Sequence, residues 1–486
     1  MSTAKVVAKN AGFLIVGDLI HKVASILFSA IVARQVGAES FGAFSIALVL
    51  AGFAAVIVDP GVSQILYRDI AEAKESAAAL VGAGIILVIF LLPLSILFLI
   101  GLSTLLGYPL LVFRVIVIVG LGSLILQIRL IYISAFKASS RSELVAISMI
   151  LQSILLFVGA AIAIKMHLEL IQLAWMYMTI CLLSVACVAL VYHVSAGMHY
   201  KMPSLAYIFI VFKRGLPLGL QAIMILVYLY VDSVMLSVMF RSDVIGYYRA
   251  AYALVTSLNI IGLALTTSVF PFLVRLQINN KDKLDEAYYR TTKYLVVMGC
   301  GIATGTTILA ARIIQLFYGS GFSASTPLLQ ILIWSELLIF LSFATSSVLL
   351  ALDLRWALVA QATLAAVLNV VLNLFVIRTY GAVGAAGVTV ATEVFALSFL
   401  SWQAHRSGIR LSQRWLPDFS RVVLACVVMG IVLWLGGGIP FFPLVILGSV
   451  TFGGVLIFLG FFDEIDIRLA KQALVLFRYR LKRVTY

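Results

Sequence analysis

VARQVGAESFGAFSIALVL at residues 32–50 returns, 204 positions later, as LSVMFRSDVIGYYRAAYAL at residues 236–254. The alignment pairs Glu39 with Asp243 and Gly42 with Gly246. Each copy straddles the outer turn between the first and second helix of a set of six apolar runs. Because six is even, both sets enter a membrane from the same side, which predicts parallel repeats related by an axis along the membrane normal. The chain therefore reads as one architecture built twice.

The surrounding composition says where that architecture resides. Of 486 residues, 63% are apolar and only 11% charged, and the mean hydropathy of +1.15 is far above that of soluble domains. At about 20 residues per span the chain predicts an all-α polytopic membrane protein with about fourteen helices. Apolar runs place them near 11–33, 41–58, 79–101, 111–135, 144–165 and 171–193, then 216–240, 248–272, 294–318, 327–351, 357–377 and 384–404, with a further pair at 421–437 and 442–461. The expected organisation is a six-helix lobe (1–193), a cytoplasmic linker carrying Lys213 and Arg214 (194–215), a second six-helix lobe (216–404), and two additional helices with a basic cytoplasmic tail (405–486).

Charge sets the orientation. Arg34, Lys165, Arg241 and Arg378 fall in outer loops, and Lys22, Arg114, Arg129, Arg249 and Arg312 fall within spans. The rest of the 34 Lys and Arg are cytoplasmic when both termini are placed inside, as the positive-inside rule requires. The net charge of +14 is then a topological signal together with a lipid-facing tail, FRYRLKRVTY, rather than a nucleic-acid patch. The basic start MSTAKVVAKN lacks a proper apolar run and cleavage site, and is expected to be retained. Cys181, Cys187, Cys300 and Cys426 all lie in predicted spans without metal-ligand spacing, and are expected to be packing residues.

The first span carries ions. Asp18, His21, Lys22, Ser25 and Ser29 recur at helical spacing and form one stripe, with Leu19, Val23, Ile26, Leu27 and Ala30 opposite. The Leu, Ile, Val and Phe of residues 11–33 favour insertion by about 4 to 7 kcal/mol, whereas Asp18 and Lys22 together oppose it by about 5 to 7. Such a helix needs a polar neighbour or water, so the stripe is expected to face into the protein. Later helices repeat the pattern: Gln221, Tyr228 and Asp232; Tyr252, Thr256, Asn259 and Thr266; Glu336; Asn369 and Asn373; Thr389, Thr392 and Glu393. A cavity between the two halves is the economical common explanation. The competing structural readings are an acid-first ion pair for Asp18 and Lys22 and helix-packing amides for Asn369 and Asn373.

Several chemistries are excluded. No phosphate-binding GxxxxGK[ST] loop is present, GIATGTT at 301–307 lacking the lysine. No His, Cys and acid cluster has metal spacing, and connections of about 22 residues or fewer leave no polar domain to hold a sugar donor, so neither an enzyme nor a cofactor is expected.

Three stretches, RQVGAESFGAFS (34–45), DSVMLSVMFRSDVIGYYRAAY (232–252) and AAVLNVVLNLFVIRTYGAVGAAGVTVATEV (365–394), together resemble the polysaccharide-biosynthesis (Wzx-type) flippases of the multidrug/oligosaccharidyl-lipid/polysaccharide exporter superfamily. The resemblance implies two six-helix bundles in a V around a central cavity, in the cytoplasmic (inner) membrane, moving a polyprenyl-pyrophosphate-linked oligosaccharide between leaflets. It implies Lys22 and Arg129, with Arg249 at the mouth, as headgroup contacts, alongside His21, Asn259, Asn369 and Asn373 as substrate-binding residues. Asp18, Asp232, Glu336 and Glu393 would couple transport to a proton, a sodium ion or the membrane potential. Membrane lipids, a polysaccharide polymerase and glycosyltransferases are the implied partners. Related lipid II flippases typically carry an arginine cluster on the first two helices; here Lys22 is the only cation in either span. A multidrug or cation antiporter of the same superfamily is the rival reading, since it too uses membrane carboxylates.

Overall fold

The computed structural model describes residues 3–72, 77–196, 204–279, 281–410, 412–466 and 468, which form helices with no strand among them. The basic tail beyond residue 468 lies outside the described residues. The first half comprises α1 (Thr3–Val58), α2 (Val62–Glu72), α3 (Ala77–Leu105), α4 (Leu110–Ile125), α5 (Gln127–Ala138), α6 (Ser142–Met166) and α7 (Leu170–Ala196). The second comprises α8 (Leu205–Met239), α9 (Ser242–Ser257), α10 (Asn259–Asn279), α11 (Lys281–Tyr318), α12 (Ser325–Ala351) and α13 (Arg355–Arg406), followed by α14 (Trp415–Leu435) and α15 (Phe441–Phe458). Among the described residues, twelve helices are long and apolar enough to cross a membrane.

Two of those twelve are hairpins. As a straight rod α1 would run about 84 Å, yet Leu14 near its start and Ser63 just past its end line the same cleft. The chain reverses at Gly37, whose φ of 75° and ψ of 174° suit a residue without a Cβ. Along α13, Asn369 Nδ2 lies 3.4 Å from Thr392 Oγ1, groups that a straight helix would hold about 35 Å apart. Gly381, with φ 56° and ψ −138°, lies midway between them. The repeat offset pairs Val36 and Gly37 with Phe240 and Arg241, where α8 gives way to α9 through two extended residues. The same turn is thus made with a glycine in one half and without one in the other.

Four features refine the sequence expectation. The expected linker 194–215 is largely helical, because α8 already begins at Leu205 and carries Lys213 and Arg214 within it. The span expected at 248–272 lies within one apolar crossing, Ser242–Gln277, interrupted by a single turn residue at Leu258, where Thr256 and Ser257 hydroxyls bond back to the carbonyls of Tyr252 (2.9 Å) and Leu254 (2.6 Å) and compete with the helix ladder. The span expected at 111–135 likewise lies within one crossing, Leu110–Ala138, with a single turn residue at Leu126 between α4 and α5, beside a Gln127 amide that donates to the Ser123 carbonyl at 3.2 Å. Between α1 and α3 lies an unforeseen short amphipathic helix, α2, burying Val62, Ile65, Leu66 and Ile70.

A continuous core runs through both halves. Phe41 of α1 meets Tyr318 at the end of α11 and Phe322 beyond it, with ring centroids 6.1 and 5.9 Å away. Arg34 donates to the carbonyls of Gln315, Leu316 and Phe317, placing a cation on the negative end of α11. At the opposite end of the molecule Arg214 of α8 pairs with Asp69 of α2 through 2.6 and 2.9 Å bonds. The final pair packs on α11 through Val296, Cys300, Val422, Cys426 and Leu456, and Arg312 holds the turn between α14 and α15 by the carbonyls of Ile439 and Gly437.

Candidate functional site

The ionisable stripe of α1 turns partly into the first half. His21 Nδ1 lies 3.5 Å from Ser153 Oγ on α6, and the charges of Arg129 on α5 and of Asp18 both act on the imidazole. Asp18 and Lys22 form an i,i+4 pair at 3.8 Å, with side chains 41% and 33% exposed, so this part of the stripe stays open. Arg129 is 7% exposed, and its Nε and Nη2 have no hydrogen-bond partner. Buried guanidinium donors left unpaired at bilayer depth are costly, so the position suits an anion. Arg129 is thus a buried cation of the first half, with the imidazole of His21 as its electrostatic neighbour.

The acids gather in the second half. Asp232 accepts from the Tyr248 hydroxyl at 2.5 Å, and from the Ser233 backbone at 2.5 Å and hydroxyl at 3.2 Å. Glu393 accepts from Tyr228. Asn259, its amide nitrogen turned toward Glu336, donates to both carboxylate oxygens at 3.0 and 3.2 Å. Asn373 donates to Asn369 at 2.9 Å, and Asn369 to Thr392 across the hairpin of α13. Each of the three carboxylates is buried and held by neutral donors. Arg249 stands 5.2 Å from the ring centroids of both Tyr230 and Tyr252, a cation–π sandwich that leaves its Nε and Nη1 unpartnered.

Lys22, His21, Asp18 and Arg129 lie in the first half, and Asp232, Arg249, Asn259, Glu336, Asn369, Asn373 and Glu393 in the second, with the charge of Lys22 reaching Glu336 across the boundary. What α1 presents to the second half is its apolar face: Val23, Ile26 and Leu27 line a pocket of ≈ 430 Å³ with Leu258 between α9 and α10, Ile333 of α12 and Phe441 of α15. That pocket shares Thr306, Ile313 and Phe441 with an apolar groove of ≈ 470 Å³ between α11, α14 and α15. Among the described residues no group of three or more His, Cys, Asp or Glu could hold a metal ion.

Sequence reasoning passed over a second ionic cluster. Lys293 Nζ, buried on α11, bonds Asp466 at 2.7 Å and the Phe461 carbonyl at 2.8 Å, and Arg290 joins Glu286, Asp463 and Asp466. Tyr289 donates to Asp418 and Tyr294 to Asp466. The available signal was YYRTTKY at 288–294 set against DEID at 463–466, but linear sequence does not bring the two together.

The family model described as polysaccharide biosynthesis protein matches residues 7–277. The fold is similar to that of lipid II flippase MurJ in an inward closed conformation (TM-score 0.69, 15% identity, 92% of this chain and 97% of that chain). It is also similar to an inward-facing multidrug resistance MATE family transporter of the MOP superfamily (TM-score 0.66, 16% identity, 79% and 94%). A MOP superfamily transporter from Pyrococcus furiosus, described by a binding pocket of reverse polarity, aligns with TM-score 0.58 and 16% identity over 83% and 95%. No curated protein matches the sequence.

Proposed function

Because the chain belongs to the polysaccharide biosynthesis protein family and has a transporter fold, we propose that it is a flippase carrying a polyprenyl-pyrophosphate-linked oligosaccharide from the inner to the outer leaflet of the cytoplasmic membrane. On this reading the hairpins at Gly37 and Gly381 bring the crossings to fourteen, with both termini in the cytoplasm. The observation that carries the reading is Arg129: a buried cation with two unpaired donors, beside His21, is matched to a phosphate. The sugars and pyrophosphate cannot cross hydrocarbon unaided, while a prenyl chain fits the apolar groove that continues past Phe441 to the face of α1. Polymerase and glycosyltransferases would act on either side of the step.

The carboxylates of the second half supply the coupling. Asp232, Glu336 and Glu393, with Asp18 in the first half, would take up a proton or sodium ion as the halves rock; one charge moving through 100 mV is worth about 2.3 kcal/mol. The same carboxylates favour the second reading, a multidrug or cation antiporter, for which a cationic substrate would replace the glycolipid. Reconstituted protein decides between them. Flipping is scored as exposure of a lipid-linked glycan to a membrane-impermeant oxidant, with expected loss of about tenfold or more in Arg129→Met. Equal rates for Arg129→Met and the parent, or efflux of organic cations without glycan flipping, would remove the glycolipid reading.

A further inference from the structure

Beneath the cations of the first half lies a cleft of ≈ 810 Å³ opening at its cytoplasmic end, lined by Leu14 of α1, Gln64 of α2, Ile133, Ser134 and Lys137 of α5, and Ser142 of α6. Among the described residues Lys137 is the one charged residue on its wall, and no salt bridge engages it. Hydroxyls and an amide make up the other polar groups, and no carboxylate of the described residues lines the space. Those are the groups that hold a phosphate: a cation for its charge and neutral donors for its oxygens.

Helix periodicity relates this cleft to the buried Arg129. Arg129, Ile133 and Lys137 recur every four residues along α5, as do Leu14, Asp18 and Lys22 along α1, so each set forms one face. At the lower end Leu14, Ile133 and Lys137 share the cleft; at the upper end His21 and Arg129 are electrostatic neighbours. Lys137 and Arg129 thus lie on one face of α5, about 12 Å apart along the helix. Arg129 waits there with its donors unpaired. At the rim Leu130 and Tyr67 are 38% and 49% exposed, an apolar margin over which a chain can stay in lipid while its headgroup enters.

We propose that this cleft between α1, α2, α5 and α6 is a loading site for the phosphate-bearing headgroup of the lipid substrate, with Lys137 making first contact and handing the headgroup along α5 to Arg129. Loading then occurs through the first half itself rather than through the gap between halves. The inference rests on the flippase reading and adds its point of entry.

The test is binding by purified protein in nanodiscs, using undecaprenyl pyrophosphate without sugar as the lipid probe and inorganic pyrophosphate as the free-anion probe. Lys137→Ala is expected to weaken the lipid probe about tenfold, Lys137→Arg to retain it, and inorganic pyrophosphate to bind much more weakly than the lipid. A Ser63→Cys reporter should react with a water-soluble maleimide and be protected by the lipid probe. Equal binding by Lys137→Ala and the parent, or no protection of the reporter, overturns the proposal. Equal affinity for both probes makes it a free-anion site and overturns it too. If Arg129→Met abolishes flipping while Lys137→Ala binds normally, the loading site fails and the flippase reading stands.

Discussion

Gly42 of α1 and Gly246 of α9, partners in the internal repeat, lie against each other in space. A Cβ on Gly42 would stand 2.9 Å from the Gly246 nitrogen and against the Ser242 carbonyl, and a Cβ on Gly246 would stand 2.8 Å from the carbonyl carbon of Ala38. Ala38 and Ser242 are related by the same 204-residue offset. Each half therefore gives the other the surface it receives, as in an isologous dimer contact. The contact sits beside the turns at Gly37 and Arg241, where Phe41, Tyr318 and Phe322 also meet.

Both glycines serve one contact, so their substitutions should not add. Gly42→Ala or Gly246→Ala drives a methyl into backbone that cannot rotate away, at an expected cost of about 1–3 kcal/mol. The double variant should cost clearly less than the sum, since the first substitution already parts the helices. Thermal unfolding in detergent reports the stability. A cysteine pair, Ala38→Cys with Ser242→Cys, reports the separation through lost cross-linking. Full additivity would show that the two glycines do not share this contact.

Lys293 and Asp466 form a buried pair at 2.7 Å, their side chains 3% and 2% exposed. Lys293→Ala leaves Asp466 with Arg290 and Tyr294 but strips a buried cation from the node joining α11 to the segment after α15, and the expected loss is about 3–5 kcal/mol. Replacing both residues, Lys293→Met with Asp466→Leu, should cost less than Lys293→Ala alone, because the buried carboxylate that loses its lysine is removed with it while Arg290 keeps Asp463 and Glu286. Proteolysis near residue 460 should accelerate in the single variant; unchanged cleavage would deny the node its anchoring role.

Asp463 gives this anchor a pH signature. The hydrogen bonds from Arg290 hold its carboxyl below the usual carboxylate range. A depressed folded value means that the contribution is fully present above the unfolded value of about 3.9 and is lost as pH falls through the lower folded value. Between pH 7 and 5 the dependence of stability on Asp463 should be flat, with the loss confined to more acid conditions. Comparing melting of the parent with Asp463→Asn across pH 3–7 checks the sign: the gap between them should narrow only below about pH 4.

The two-fold construction and the membrane character were legible because they depend on periodicity and composition, which a linear chain displays. So was the inward turn of His21, since a charged stripe on a helix must avoid lipid whatever its neighbour. The identity of that neighbour was not legible: spacing selects a face, and only packing puts Ser153 and Arg129 beside it. The hairpin at Gly381 was readable as two spans, whereas α2 was hidden because eleven residues of mixed character lie below any span threshold. Lys293 looked like one more cytoplasmic lysine, since its partner lies 173 residues away.

The separation of charges makes coupling and binding dissectable. Glu336 is buried at 1% exposure and accepts from the neutral amide of Asn259, while the charges of Glu393 and Lys22 reach it through the protein. An ionised carboxylate in that setting is expensive, and a proton or sodium ion relieves the cost; release requires that the surroundings change, as rocking would cause. Glu336→Gln keeps the shape and a partner for Asn259 but fixes the site neutral. It should leave binding of undecaprenyl pyrophosphate within about twofold, because Arg129 and Lys137 belong to the other half. Transport into vesicles should lose its response to an imposed proton or sodium gradient while retaining a slow, gradient-independent rate. Glu393→Gln and Asp232→Asn should behave alike if the three act as one site. A Glu336→Gln protein whose flipping still accelerates with the gradient as the parent's does would take this carboxylate out of the coupling, and lost lipid binding in the same variant would mean that the two halves share a single site after all.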